Sequence, residues 1–162
     1  MTPNMSVVPL TPELRESAHR LHPSVDQEKW SGTAVTILSR AQSRPSEHIF
    51  LIRDGETPAG MFVLDTAPRL PLDGIDLQLH SFFSDQDFQG RGLATAAICS
   101  IRDVVTEHFP ETRLLGLSVN VNNPIAFRLY RIHGFTEADH MYLDGSRGPE
   151  HLLWMAFADS QR

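Results

Sequence analysis

The stretch Gln89-Gly90-Arg91-Gly92-Leu93-Ala94-Thr95 decides how this chain is read. A run that reads as a strand, Ile75 to Ser84, leads into it, and a run that reads as a helix, Leu93 to His108, leads out. The glycines leave the backbone bare at a helix start. There several N–H groups lack an intrahelical acceptor and the helix dipole adds partial positive charge. Such a place suits phosphate oxygens. Two other glycine motifs do not fit. A P-loop needs G-x-x-x-x-G-K-[ST], and no Lys follows Gly92. A dinucleotide fingerprint needs G-x-G-x-x-G near a first strand, but Thr95 stands at the third glycine position, in mid-chain. An ordinary strand-to-helix turn, with glycines for geometry only, is the alternative.

A chain of 162 residues is read as one domain, 1–162, large enough for a real core. No apolar run approaches the roughly 18 residues of a membrane helix. Met1 to Leu10 has neither a basic n-region nor a long apolar core, so no signal peptide is expected. Cys99 is the single cysteine, which rules out an internal disulfide and suits a reducing cytoplasm. The net charge of −6 argues against nucleic acid as a partner and favours a cationic substrate in a weak, salt-dependent way.

Working outward, Met5 to Leu10 reads as a first strand, and Thr11-Pro12-Glu13 opens a helix with Leu14, Ala18 and Leu21 as its apolar stripe. A second helix is expected from Ser24–Asp26 onward, with Trp30, Ala34, Ile37, Leu38 and Ala41 at helical spacing. His48 to Arg53, the turn Asp54-Gly55-Glu56-Thr57, and Pro58 to Asp65 form an antiparallel pair. Thr66 to Gly74 reads as a loop. In the strand Ile75 to Ser84, Ile75, Leu77 and Leu79 alternate with Asp76, Gln78 and His80, and Phe82-Phe83 interrupts the pattern as a bulge would. Ala94, Ala97, Ile98, Ile101 and Val105 make the buried stripe of the next helix, with Cys99 read as a buried structural thiol. Leu114 to Val119 is a short strand. Asn123-Pro124 then starts a helix that Gly134 ends, and Phe135 to Leu143 with Glu150 to Phe157 form a last strand pair. Asp159 to Arg162 reads as a frayed tail.

The second motif is Asn123-x-x-Ala126-x-x-Leu129-Tyr130-x-x-x-Gly134-Phe135. With Gln89-x-x-Gly92-x-Ala94 before it, the pair resembles the signature of the GNAT superfamily of acetyl-CoA-dependent N-acetyltransferases, over about the whole chain. From Asp26-Gln27-Glu28 onward the likeness leans loosely to the bacterial spermidine or diamine acetyltransferases. The resemblance implies an α/β (α+β) GNAT fold. That is a mixed, mostly antiparallel central sheet of about six to seven strands with a splayed parallel pair, flanked by about four helices. It implies acetyl-CoA as co-substrate, a small-molecule amine as acceptor, and a homodimer as the family default. Backbone at Phe82, Phe83 and Ser84 would hold the pantetheine arm. Amides from Gln89, Gly90, Arg91, Gly92, Leu93, Ala94 and Thr95 would hold the pyrophosphate. Asn123 would contact the cofactor near the pantetheine, and Tyr130 would aim its hydroxyl at the thioester sulfur.

The implied reaction is direct attack of a primary amine on the thioester in a ternary complex. The amine must lose a proton to a base, the developing oxyanion needs a donor near Phe82–Ser84, and the departing thiolate takes a proton from the phenol of Tyr130. Many relatives place a Glu on the strand before the phosphate turn, and this chain has none there. The base is left among His80, Asp76 and a water wire. His80 has the more suitable ordinary pKa, about 6.5. Asp26 and Glu28 either meet the substrate amine or are only the acidic first turn of a helix. His133, His140 and the other histidines show no metal-ligand spacing, so no metal is expected. Polyamines are the first acceptors to consider. A protein or peptide acceptor, or a non-catalytic acyl-CoA sensor on the same fold, are the alternatives.

Overall fold

The structure, a computed structural model, describes residues 4–158. The expected tail at Asp159 to Arg162 lies outside them. Seven strands and five α-helices follow in the order β1 (Met5–Pro9), α1 (Arg15–His19), α2 (Val25–Ser31), α3 (Ala34–Gln42), β2 (Glu47–Asp54), β3 (Thr57–Asp65), β4 (Leu77–Ser84), α4 (Leu93–His108), β5 (Leu114–Asn120), α5 (Pro124–Ile132), β6 (Thr136–Tyr142) and β7 (Glu150–Ala156). Short 3-10 turns at Pro12–Leu14 and Gln86–Phe88 precede α1 and α4. The strands form one mixed sheet in the order β1-β2-β3-β4-β5-β7-β6. The pairs β1/β2, β2/β3, β5/β7 and β6/β7 are antiparallel. β4 and β5 are parallel, in the register Leu77↔Leu115 and Gln78↔Gly116. This is the expected fold class.

Contacts group the residues into two compact units, 4–65 with His80–Ser100, and Thr66–Leu79 with 101–158. In the first, Ala18 and Leu21 pack with Ala34, Ile37 and Leu38 of α3 against Ile49, Leu51, Met61, Val63 and Phe83. The alternate strand residues carry an aromatic row, Phe50 on Phe62 at 5.6 Å and Phe62 on Phe82 at 5.7 Å between ring centres. The β2/β3 hairpin closes on Gly55-Glu56, and its register slips between Ile52 and Arg53. Arg53 faces Pro58 while Ile52 faces Gly60, so Ala59 is the extra residue of a bulge. Its carbonyl accepts the Asp85 N–H at 2.6 Å. Gly60 is required where it stands, since a Cβ there would lie 2.5 Å from the Phe83 carbonyl oxygen and 3.0 Å from the Ser84 Cα.

In the second unit, Leu77, Leu79, Leu115, Leu117, Leu152 and Leu153 are buried. Asp76 fastens the start of β4 to the start of β5. Its carboxylate accepts the N–H groups of Arg113 (3.0 Å) and Leu114 (3.1 Å), and its own N–H donates to the Leu114 carbonyl at 3.0 Å.

Three expectations change. The single helix read from Ser24–Asp26 onward is two helices. Gly32 takes φ +83 and ends α2, and Thr33, whose Oγ1 accepts the Thr36 N–H at 3.2 Å, starts α3. Ile75 and Asp76 precede β4 rather than belong to it. Cys99 is exposed, because it falls outside the buried stripe of Leu93, Ala97, Ile98, Ile101, Val104 and Val105.

Candidate functional site

The turn before α4 has the bare backbone its sequence suggests. Gly90 and Gly92 take φ +80 and +77, and a Cβ at either would meet nothing within 4 Å. The first helical bond of α4 is Ala96 N–H to the Gly92 carbonyl at 3.0 Å. The N–H groups of Leu93, Ala94 and Thr95 precede it and lack an intrahelical acceptor. Asp85, 6% exposed, anchors the turn. Its Oδ1 accepts the Asp87 N–H and its Oδ2 the His22 N–H, both at 2.8 Å. Arg91 lies over the Phe88 ring, 4.9 Å from its centre, and 3.8 Å from Asp54. These features fit a diphosphate, with open space, unpaired N–H donors and a cation beside them.

Nine positions before Gly90, β4 is bent. Ser81 adopts φ +58, the one non-glycine with positive φ among the described residues. The irregularity expected as a bulge at Phe82-Phe83 is instead a left-handed residue one position earlier, at Ser81. Around it lies a charged cluster that the sequence reading missed. His80 Nδ1 is 2.9 Å from Ser81 Oγ, and that oxygen accepts a hydrogen bond from Arg40 Nη2 at 3.1 Å. Arg40 Nε donates to both oxygens of Glu47 at 2.9 and 3.2 Å, and Arg44 Nη1 donates to Glu47 Oε2 at 3.1 Å. His80 Nε2 faces Asp65 Oδ2 at 3.8 Å and Glu47 Oε2 at 3.9 Å. The Glu47 and Asp65 side chains are 0% and 3% exposed, and His80 is 24% exposed. Burial lowers the pKa of the imidazole below its ordinary 6.5. The carboxylates of Glu47 and Asp65 oppose that shift, and the guanidiniums of Arg40 and Arg44 reinforce it. Glu47, Asp65 and His80 bring atoms of metal-ligating type within 4.8 Å of one another. Both guanidiniums are bonded to Glu47, so its carboxylate is already engaged in ion pairs.

In the second unit, Tyr130 is 7% exposed on α5, with its ring edge-on to Phe135 at 5.4 Å. Burial holds its phenol pKa well above the usual value. Gly134, at φ +104, ends the helix, and the Phe135 N–H returns to the Tyr130 carbonyl at 3.1 Å. Asn123 precedes Pro124, the first residue of α5, and its side chain makes no capping bond. Its N–H donates to the Asn120 carbonyl at 2.9 Å. Asp26 and Glu28 lie exposed in the first turn of α2. Phe83 and Ser84 are buried, and Phe82 belongs to the aromatic row.

The fold combines a glycine turn at the start of a long helix with a mixed sheet that holds the parallel pair β4/β5. A sequence model of the Acetyltransferase (GNAT) family matches residues 11–135, and the chain belongs to that family of acetyl-CoA-dependent N-acetyltransferases. Solved structures agree in fold. Spermidine N-acetyltransferase from Vibrio cholerae in complex with CoA and spermine superposes with TM-score 0.70 at 16% identity, over 94% of this chain and 95% of that one. Aminoglycoside N(6')acetyltransferase from Legionella pneumophila gives 0.67 at 14% identity, over 96% and 94%. An acetyltransferase from Thermus thermophilus gives 0.67 at 22% identity, over 97% and 98%. No curated protein matches the chain in sequence. Among the described residues, no helix is long and apolar enough to cross a membrane.

Proposed function

We propose that the protein moves acetyl from acetyl-CoA to a primary amine of a small molecule, by direct attack in a ternary complex in the cytoplasm, with polyamines as the first acceptors to test. The observation that carries the reading is the open turn at Gly90 and Gly92, whose φ values and unfilled space leave the N–H groups of residues 93–95 to a diphosphate. The net charge of −6 and the acidic first turn of α2 at Asp26 and Glu28 support a cationic acceptor. The Vibrio cholerae neighbour, bound to CoA and spermine, points the same way.

Acetyl-CoA supplies an acyl carbon and a thiolate leaving group. His80 takes one proton from the amine, whose electron pair forms the new C–N bond as the C–S bond breaks. Tyr130 gives its hydroxyl proton to the sulfur and is restored by the proton that His80 releases through solvent, so each turnover balances. Burial of both groups suits these roles. It keeps the imidazole neutral and able to accept near pH 7, and it keeps the phenol protonated and able to donate. Asp76, both of whose oxygens accept backbone N–H groups, is assigned no chemical step. Backbone N–H groups of Phe82–Ser84 are assigned to the oxyanion.

The experiment is thiol release from acetyl-CoA against spermidine, spermine, putrescine, amino acids, aminoglycosides and short peptides. Turnover confined to small primary amines is expected. Turnover with peptides alone would replace the acceptor class. Acetyl-CoA binding without turnover on any amine would turn the reading to a sensor.

A further inference from the structure

We propose that Asp65 and Arg40 are opposed positioning residues for His80, fixing which imidazole nitrogen carries the resting proton and how readily the other takes one. The proposal rests on the reading of His80 as the base, and its direct test does not need turnover.

The two nitrogens of His80 have different surroundings. Nδ1 lies 2.9 Å from Ser81 Oγ. That oxygen is held by Arg40 Nη2 at 3.1 Å, and Arg40 is held in turn by its Nε on both oxygens of Glu47. An Nδ1–H that donates to Ser81 Oγ leaves the lone pair on Nε2. Nε2 faces Asp65 Oδ2 at 3.8 Å and Glu47 Oε2 at 3.9 Å, too far for a direct hydrogen bond and near enough for strong attraction once a proton arrives. The charged groups facing the ring are thus Arg40 from α3, Arg44 from the loop that follows it, Glu47 from β2 and Asp65 from β3. The carboxylates favour the imidazolium and the guanidiniums disfavour it. Glu47 is also the acid that holds both arginines, so its removal would disturb all of them. Asp65 can be neutralised isosterically.

Ser81 is the second observation. A residue with a side chain in the left-handed region costs about 1 kcal/mol or more relative to glycine. The chain keeps a serine there, at φ +58, and its hydroxyl is the group that touches both Arg40 and His80. Strain held at a bonded side chain is what a positioning role requires.

The test follows the His80 imidazole by 15N–13C NMR titration of the full chain, with His80→Gln identifying its resonances. Asp65→Asn should lower the midpoint by about 1 pH unit, and Arg40→Met should raise it by about as much. The resting protein should show the Nδ1–H form, and Ser81→Gly should give a mixture of the two forms. Arg40→Lys, which keeps the charge without the fork, should leave the midpoint near the wild-type value. Midpoints that stay together in folded Asp65→Asn and Arg40→Met overturn the proposal. If Arg40→Met does not fold, Asp65→Asn and Ser81→Gly decide it in the same way. The acid limb of kcat/KM is measured alongside. Midpoints that move without that limb keep the positioning and overturn the role of His80 as base, whereas a limb that follows them supports both.

Discussion

His80 and Phe83 lie on the same side of β4 although they are three positions apart. Phe83 packs with Ile49, Leu51, Met61 and Val63, and His80 faces Glu47 and Asp65, the residues that continue that same face of β2 and β3. A regular strand would put positions 80 and 83 on opposite faces. The left-handed Ser81 between them adds the extra half-turn, so one residue sets both the direction of the imidazole and the seating of the core phenylalanine.

Two substitutions at Ser81 should therefore separate strain from chemistry. Ser81→Gly relieves the backbone and loosens the unfolded chain, so its stability in urea should stay within about 1 kcal/mol of wild type while kcat falls. Ser81→Val places a β-branched residue at φ +58 and should lose about 2 kcal/mol. Equal stability for the two variants would show that the bend is not strained.

Asp76→Ala distinguishes a fastener from a base. The variant removes the acceptor for the N–H groups of Arg113 and Leu114 at an exposed site, where water can partly replace it. A loss of about 1 kcal/mol in denaturant, with kcat nearly unchanged, is expected. A folded Asp76→Ala with kcat reduced by about 100-fold or more would make Asp76 the base.

Tyr130→Phe should lower kcat and leave CoA affinity close to wild type, since only a proton donor is removed. The raised phenol pKa carries a second consequence. Below the ordinary tyrosine pKa of about 10 the folded and unfolded chains both hold this proton. Above it the unfolded chain releases the proton and the folded chain keeps it, so stability falls as pH rises. Alkaline unfolding should thus begin above about pH 10 in the wild type and be shallower in Tyr130→Phe. Matching alkaline curves would mean that the phenol titrates freely, and unchanged kcat across pH would remove it as the acid.

The parts legible in the sequence were those with local causes. α4 and α5 follow from apolar spacing, from Gly92 and Pro124 at their starts and from Gly134 at the end of α5. The hairpin follows from Asp54-Gly55-Glu56-Thr57. The cluster around His80 was not legible, because it depends on two irregularities that composition does not signal. Counting outward from the hairpin turn places Glu47 opposite Leu64. The bulge at Ala59 shifts the register by one and brings Asp65 opposite Glu47 instead. Ser81 then turns His80 toward both. The available hint was the charge at the buried ends of two apolar runs, Glu47 before His48-Ile49-Phe50-Leu51-Ile52 and Asp65 after Met61-Phe62-Val63-Leu64. A buried carboxylate must have partners. The helix break at Gly32 was missed because an apolar stripe continues in sequence whether or not the helix does, and Cys99 was misread because its residue type was weighed above its place off the buried stripe of α4.

The phosphate turn can be tested by charge at constant shape. Gly92 takes φ +77 with open space where a Cβ would go, so Asn and Asp enter with the same moderate backbone strain. They differ in charge alone. At the first turn of α4 a carboxylate interacts favourably with the helix dipole, so Gly92→Asp should be at least as stable as Gly92→Asn without ligand. Toward CoA the order should reverse, because the same carboxylate stands where the diphosphate is assigned. Calorimetry should give a Kd for Gly92→Asp at least about 10-fold weaker than for Gly92→Asn, a difference of about 1.4 kcal/mol that shrinks as salt is added. Two variants with equal affinity for CoA would move the diphosphate away from this turn, and with it the observation on which the acetyl-transfer assignment of these residues depends.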